Sequence, residues 1–172
     1  MKKTKFIDII KYYILVFMFI SVVGFFYEEI LFLFKTGHLV KRGYLYGTWL
    51  PIYGIGSILI LVTCKRLEKH PVWIFLLTFI STGILEFLTG YFLLHVGHKR
   101  LWNYKGEFLN IGGYICLKSL TGFAIGGLIL IYILHPLFKK IYNKLNDKQI
   151  NLLVILLLIV FVIDNIFSLI IN

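Results

Sequence analysis

The sequence predicts an all-α integral membrane protein, a bundle of about five transmembrane helices with two structured, partly re-entrant loops rich in aromatic residues and glycine. Three observations predict it. Hydrophobic residues make up 59% of the 172 and charged residues 15%, with a mean hydropathy of +0.88; a soluble domain solvates its surface with about 25% charged residues. Five apolar runs approach the ~20 residues that a helix rising ~1.5 Å per residue needs to cross ~30 Å of hydrocarbon. Between the first two runs lies Arg42-Gly43-Tyr44-Leu45-Tyr46-Gly47-Thr48-Trp49-Leu50-Pro51-Ile52-Tyr53-Gly54-Ile55-Gly56, which holds three tyrosines, a tryptophan, a proline and four glycines in fifteen residues. That composition is too apolar for a solvated loop and too rich in Gly and Pro for a plain helix.

The elements follow in order within a single transmembrane domain, 1–172. Met1-Lys2-Lys3-Thr4-Lys5 has the basic character of a signal-peptide start. The apolar run behind it is too long and lacks a small-x-small cleavage site, so 12–34 is read as an uncleaved first span. Irregular backbone at membrane depth survives only where protein or a wet cavity satisfies its N–H and C=O groups. The segment 42–56 is therefore read as a re-entry into the membrane that initiates the second span, 51–64, and extends it backwards. An aromatic belt at the interface followed by a helix start is the other reading of the same residues. Spans three, four and five are expected at 72–96, 114–135 and 149–171. A weak parallel repeat relates 12–64 to 72–135. Each half has an acid in its first helix (Glu28, Glu29; Glu86), a Gly-His pair at the helix end (Gly37-His38; Gly97-His98) and an aromatic, Gly-rich passage into the next helix.

The net charge is +10. In a membrane protein a basic excess first indicates orientation and contact with the lipid bilayer, and no aromatic–basic module of a nucleic-acid reader is present. With the N-terminus inside, Lys2, Lys3, Lys5, Lys11, Lys65, Arg66, Lys69, Lys139, Lys140, Lys144 and Lys148 lie on the inner side. Lys35, Lys41, Arg42, Lys99, Arg100, Lys105 and Lys118 lie outside. The bias predicts a multi-pass cell-membrane protein with its N-terminus cytoplasmic and its C-terminus outside.

An ionised side chain at bilayer depth costs about 2.5–3.5 kcal/mol on insertion scales, so such residues face the bundle interior and mark sites or structural ion pairs. Ser21, Gly24 and Glu28 share one helical face, as do Thr82, Gly83, Glu86, Thr89 and Gly90, and Lys118, Gly122 and Gly126. Asp164 and Ser168 are spaced i, i+4, and neither Glu29 nor Asp164 receives a role. Glu28, Glu86, Lys118 and Asp164 all fall in the outer half of their spans, beside the two aromatic loops. The expectation is one polar cavity open to the outer face, with Lys118 neutralising carboxylates. A buried ion-pair network that only fixes helix order is the structural alternative.

Several chemistries are excluded. Cys64 and Cys116 have no metal-site spacing, and the topology places them at opposite faces, which argues against a disulfide. No His pair sits at i, i+4 beside a carboxylate, no serine has nucleophile-elbow flanks, and no phosphate-binding G-x-x-x-x-G-K-[ST] occurs. The expectation is no metal, no cofactor and no catalytic residue. Without the phosphate-binding motif the chain cannot couple ATP by itself. His38 and His98, each after a glycine, are read as interfacial or as ligand-binding.

The motif R-G-Y-L-Y-G-x-x-x-P-I-Y-G-x-G at 42–56 is joined by Glu86-Phe87-Leu88-Thr89-Gly90, Leu101-Trp102-Asn103-Tyr104 and Phe108-Leu109-Asn110-x-x-Gly113-x-Ile115-Cys116-Leu117. Together, over about residues 15–135, these resemble the ABC-transporter type IV, or CmpB-type, family of membrane proteins; eukaryotic TMEM229-type proteins look similar. The resemblance implies a small polytopic permease and carries no catalytic set. This chain departs from the family pattern at two places: W-D-Y reads Trp102-Asn103-Tyr104, and N-G-R-I-C-L reads Gly112-Gly113-Tyr114-Ile115-Cys116-Leu117.

These lines lead to a permease that binds a small polar or amphipathic solute in an intramembrane polar cavity. Its site residues are Glu28, Glu86, Lys118, Arg42, Tyr44, Tyr46, Tyr53, Trp102, Tyr104 and Asn110. Transport by a chain this short calls for a homodimer or a separate ATPase subunit. Two alternatives share the composition: a lipid-head-group-binding membrane enzyme that holds phosphate with Arg42, Lys99 and Arg100, and an accessory subunit that scaffolds a membrane complex.

Overall fold

The computed structural model describes residues 6–39, 41 and 43–171. Among these residues every regular element is helical: α1 Phe6–Thr36, α2 Pro51–Cys64, α3 Pro71–His95, α4 Leu117–Ile129, α5 His135–Tyr142 and α6 Asp147–Ile171. A single turn of tighter helix, Lys65–Leu67, follows α2, and a π-helical stretch, Leu130–Leu134, joins α4 to α5. Four helical runs are long and apolar enough to cross a membrane: Phe6–Thr36, Pro71–His95, Leu117–Tyr142 and Asp147–Ile171. The protein is a multi-pass, all-α membrane protein. The α6 window is only 11% buried although it is the most apolar of the four. A helix that turns nearly all of its apolar surface outward suits hydrocarbon and would form an aggregating patch in water.

Local chemistry sets the helix ends. Pro51 and Pro71 stand first in α2 and α3, where a missing N–H costs nothing. Gly37, with φ +76°, closes α1 by donating its N–H to the Leu33 carbonyl, 2.9 Å away. Cys116 and Ser119 form a reciprocal capping box at the start of α4. Asn146 and Gln149 exchange backbone-to-side-chain bonds of 2.9 Å at the start of α6. The fourth span differs from its expected bounds, beginning at Leu117 rather than 114 and running past Pro136 to Tyr142. Proline inside an α-helix clashes with the carbonyl four residues earlier. The π turn just before it removes the conflict by passing the His135 N–H to Leu130 instead.

The chain divides into two compact units, Met1–Ile58 with Lys140–Asn172, and Leu59–Lys139. In the first, α1 and α6 run parallel and pack together: Phe17 meets Phe161 at 5.6 Å, and Tyr12, nearer the start of α1, meets Tyr142 at the end of α5, just before α6 begins, at 5.0 Å. The start of α2 runs antiparallel to α1, with Tyr53 against Gly24 and Gly54 against Ser21 and Phe17. In the second unit α3 and α4 form the principal pair. Gly83 makes room for Leu120, and Gly127 makes room for Thr78. Ala124, Ile74 and Thr78 are fully buried.

The second expected span is changed in form. Helix α2 has 14 residues, and the preceding 43–50 is irregular rather than a backward extension of the helix. Two constraints make it so. Gly43 takes φ +76°, and Pro51 has no N–H to continue a ladder.

Candidate functional site: carboxylates that hold two irregular loops

In the first unit the loop 43–50 descends along α1. Leu45 and Trp49 are buried against Met18, with Ile14, Phe17, Tyr44, Leu157 and Phe161 packed around them. The Leu50 N–H donates to the Ser21 carbonyl at 3.0 Å. Ser21 is the midpoint of α1, so the loop reaches the middle of that helix. The partly re-entrant character read from composition is thus present, and it raises the question of where the loop's N–H groups go. Asp164 on α6 answers it. One carboxylate oxygen accepts the N–H groups of Tyr46 at 3.1 Å and Gly47 at 3.0 Å, and the other accepts Gly47 at 3.1 Å. Ser168 Oγ, one turn along, takes the Tyr46 N–H as well at 3.1 Å.

Glu28 lies on the stripe with Ser21 and Gly24. Because Gly24 has no side chain, the Tyr53 ring lies against α1 there, and the Tyr53 hydroxyl donates to Glu28 Oε1 at 3.0 Å. Tyr46 is exposed, packs on Phe167 and has the Lys41 Nζ 3.6 Å above its ring centroid. Arg42 lies outside the described residues.

The second unit repeats the chemistry with different parts. Glu86 on α3 is 3% exposed. The Tyr104 hydroxyl donates to its Oε1 at 2.9 Å and the Ser119 hydroxyl to its Oε2 at 3.0 Å. Tyr104 belongs to the loop 96–116 and Ser119 to the first turn of α4, so one buried acid ties three elements together. The loop folds on itself. Trp102 donates to the Tyr114 carbonyl at 2.8 Å, Arg100 to the Gly112 carbonyl at 2.9 Å, and Asn110 to the Glu107 carbonyl at 2.9 Å. Ile111 and Ile115 form a bridge closed by Gly112 and Gly113, whose φ values of +60° and +74° suit glycine. Trp102 and Tyr114 rest on α3 at Gly90. Lys118 is exposed on α4, while the neutral hydroxyls of Tyr104 and Ser119 hold the Glu86 carboxylate. Of the residues that depart from the family pattern, Gly112 and Tyr114 belong to the 111–115 turn and Asn103 lies against it: a Cβ on Gly113 would lie 2.7 Å from Asn103 Oδ1.

The structure therefore joins Glu28 to Tyr53 in one unit and Glu86 to Tyr104 in the other, with Tyr44 and Tyr46 in the loop of the first, Tyr46 at Asp164, and Trp102 in the loop of the second. It gives Asp164 a role that sequence reasoning left blank. Its i, i+4 spacing with Ser168 was readable, but its partners are backbone N–H groups 117 and 118 residues away, which leave no mark in a sequence. Ser119 was missed for a similar reason, since its acceptor Glu86 is 33 residues away in the chain.

No curated protein and no solved structure is similar to the chain at a significant level. A family model does match, the one described as "Putative ABC-transporter type IV", over residues 15–169. With nearly its whole length matched, and with apolar helices of the kind such a family requires, the chain belongs to the ABC-transporter type IV family of membrane proteins.

Proposed function

We propose that this protein is a permease that binds a small polar or amphipathic solute at its acid-anchored loops. Membership of a transporter family and four membrane-crossing helical runs support membrane transport. The observation that carries the solute-binding reading is Glu86. It is a carboxylate buried on an apolar helix and held by two hydroxyls. Intramembrane acids are costly, and a sequence retains one without use only if it serves packing alone. A polar solute that brings its own donors replaces the Tyr104 or Ser119 hydroxyl at that carboxylate. In this reading Trp102 and Asn110 of the same loop contact the solute, and Lys118 balances charge at the site. Glu28 with Tyr53, Tyr44, Tyr46 and Arg42 serves the same purpose in the other unit. The chain carries no nucleotide-binding motif, so coupling to ATP uses a separate ATPase subunit, and a homodimer supplies a second set of helices. In the cell membrane the N-terminus is cytoplasmic and the C-terminus outside.

Reconstitution into liposomes with a panel of metabolites and lipids tests this. Glu86→Gln keeps an acceptor for one of the two hydroxyls and offers an N–H to the oxygen of the other; it is expected to fold, yet to lose most of the uptake or binding that the wild type gives. Full retention of every wild-type activity by Glu86→Gln would overturn the role of Glu86.

A further inference from the structure

The second unit carries a groove of about 350 Å³ on its surface, lined entirely by apolar residues. Phe79, Ile84 and Phe87 of α3 form one wall, Leu120 of α4 the other, and Ile111 and Ile115 close one end. Those two isoleucines are the bridging pair of the 111–115 turn, so the closed end of the groove is the base of that turn. The tip of the turn carries cations. The Arg100 guanidinium donates to the Gly112 carbonyl and lies over the Tyr114 ring, 5.4 Å from its centroid. The Lys105 side chain sits 3.0 Å from the position that a Cβ on Gly113 would take. Both cationic residues are exposed. Across 96–118 the chain has four cations, Lys99, Arg100, Lys105 and Lys118, against one acid, Glu107.

An apolar groove that ends under a pair of exposed cations has the two-part chemistry of an anionic amphiphile. We infer that this groove binds one acyl chain of an anionic glycerophospholipid, with the lipid phosphate held by Arg100 and Lys105 at the tip of the 111–115 turn. The planar guanidinium is fixed by its bond to Gly112 and by the ring beneath it, so it meets phosphate with little further loss of freedom. The groove's size falls within the usual range for small-molecule sites. A second copy of this chain has no evident reason to place a phosphate-like charge at this point, and the cations favour the lipid. This site is separate from the solute site at Glu86 and stands whether or not transport is observed.

The test uses the full-length protein in nanodiscs of phosphatidylcholine, with and without phosphatidylglycerol. Native mass spectrometry after transfer to detergent counts the retained lipid, and a parallel arm adds inorganic phosphate alone. The wild type should retain one phosphatidylglycerol per chain in preference to phosphatidylcholine. Arg100→Gln with Lys105→Gln should cut that retention about tenfold, and Arg100→Lys should restore part of it. Ile84→Trp, which fills the groove from an exposed position, should cut retention while leaving the cations in place. Each of these results would overturn the inference: no preference for the anionic lipid, unchanged retention in the double variant or in Ile84→Trp, or competition by inorganic phosphate as effective as by lipid. Paired chains whose association is lost in Ile84→Trp, with lipid retention unaffected, would assign the groove to a second copy and overturn it as well.

Discussion

At the scale of single residues, the acids on the apolar helices accept hydrogen bonds, Asp164 from backbone N–H groups and Glu28 and Glu86 from tyrosine hydroxyls. Asp164 is the clearest case, because it supplies what an irregular segment lacks at the mid-height of a helix. Without that carboxylate the Gly47 N–H has no partner among its present ones, and the Tyr46 N–H keeps only Ser168. An orphaned buried donor costs about 1–3 kcal/mol, and with Gly47 half-buried and Tyr46 exposed the lower end applies here. Asp164→Ala is therefore expected to lower the melting temperature by several degrees, since each kcal/mol is worth about 2–4 °C in a chain of this size. It should also remove hydrogen-exchange protection across 45–50 while leaving α3 protected. Asp164→Asn, which keeps one good acceptor, should fall between. Equal protection in all three proteins would show that the loop is held by Leu45 and Trp49 alone. Tyr104→Phe probes the other loop. It removes the Tyr104 hydroxyl bond to a charged group, worth about 1.5–3 kcal/mol. The expected readout is destabilisation together with a shift in fluorescence from Trp102, two residues away.

At the scale of elements, helix positions were legible and helix interruptions only partly so. Hydropathy located α1, α3 and α6 to within a few residues because a run of ~20 apolar residues has few other uses. The re-entrant loop was legible from Gly43, Pro51 and the aromatic residues between them, since that composition fits neither water nor a regular helix. The π turn before Pro136 was not, because sequence shows the proline but not which of several accommodations the backbone adopts. The site was half legible. Small residues marked the faces on which Glu28 and Glu86 lie, but the tyrosines that hold them, Tyr53 and Tyr104, were named for their loops rather than for these bonds. The glycines give a paired test of those faces. A Cβ on Gly24 would fall on the ring of Tyr53, whereas one on Gly122 would meet nothing within 4 Å. Gly24→Ala should cost about 1–3 kcal/mol by overpacking and weaken the Tyr53–Glu28 bond. Gly122→Ala should be neutral or stabilising by up to about 1 kcal/mol through helix propensity. Thermal unfolding followed by size-exclusion chromatography distinguishes them, and equal stabilities would show that the α1–α2 contact tolerates a shift at Tyr53.

At the scale of the whole molecule, four helical runs are long enough to cross a membrane, and five crossings are expected from the apolar runs of the sequence. Helix direction bears on the difference. Helix α2 starts at the level of Ser21 and Gly24 on α1 and points toward the N-terminal end of α1. Its 14 residues give ~21 Å at ~1.5 Å per residue, short of a ~30 Å crossing unless the irregular loop before it adds depth. Broken helices of that kind occur in membrane transporters where backbone lines or borders a site. Five crossings carry the C-terminus to the side opposite the N-terminus, and four would return it to the same side. The parallel run of α1 and α6 agrees with five, because α6 then leaves the membrane on the face where α1 does. Single cysteines introduced near each end, at Lys3 and Asn172, should therefore differ in whole cells. A membrane-impermeant maleimide should label the C-terminal one at once and the N-terminal one only after lysis. Cys64 and Cys116, both buried, should contribute little background. Labelling of both ends from the same side would mean that α2 enters and leaves by one face, and that the acid-held loop 43–50 is a true re-entrant hairpin rather than the outer half of a crossing.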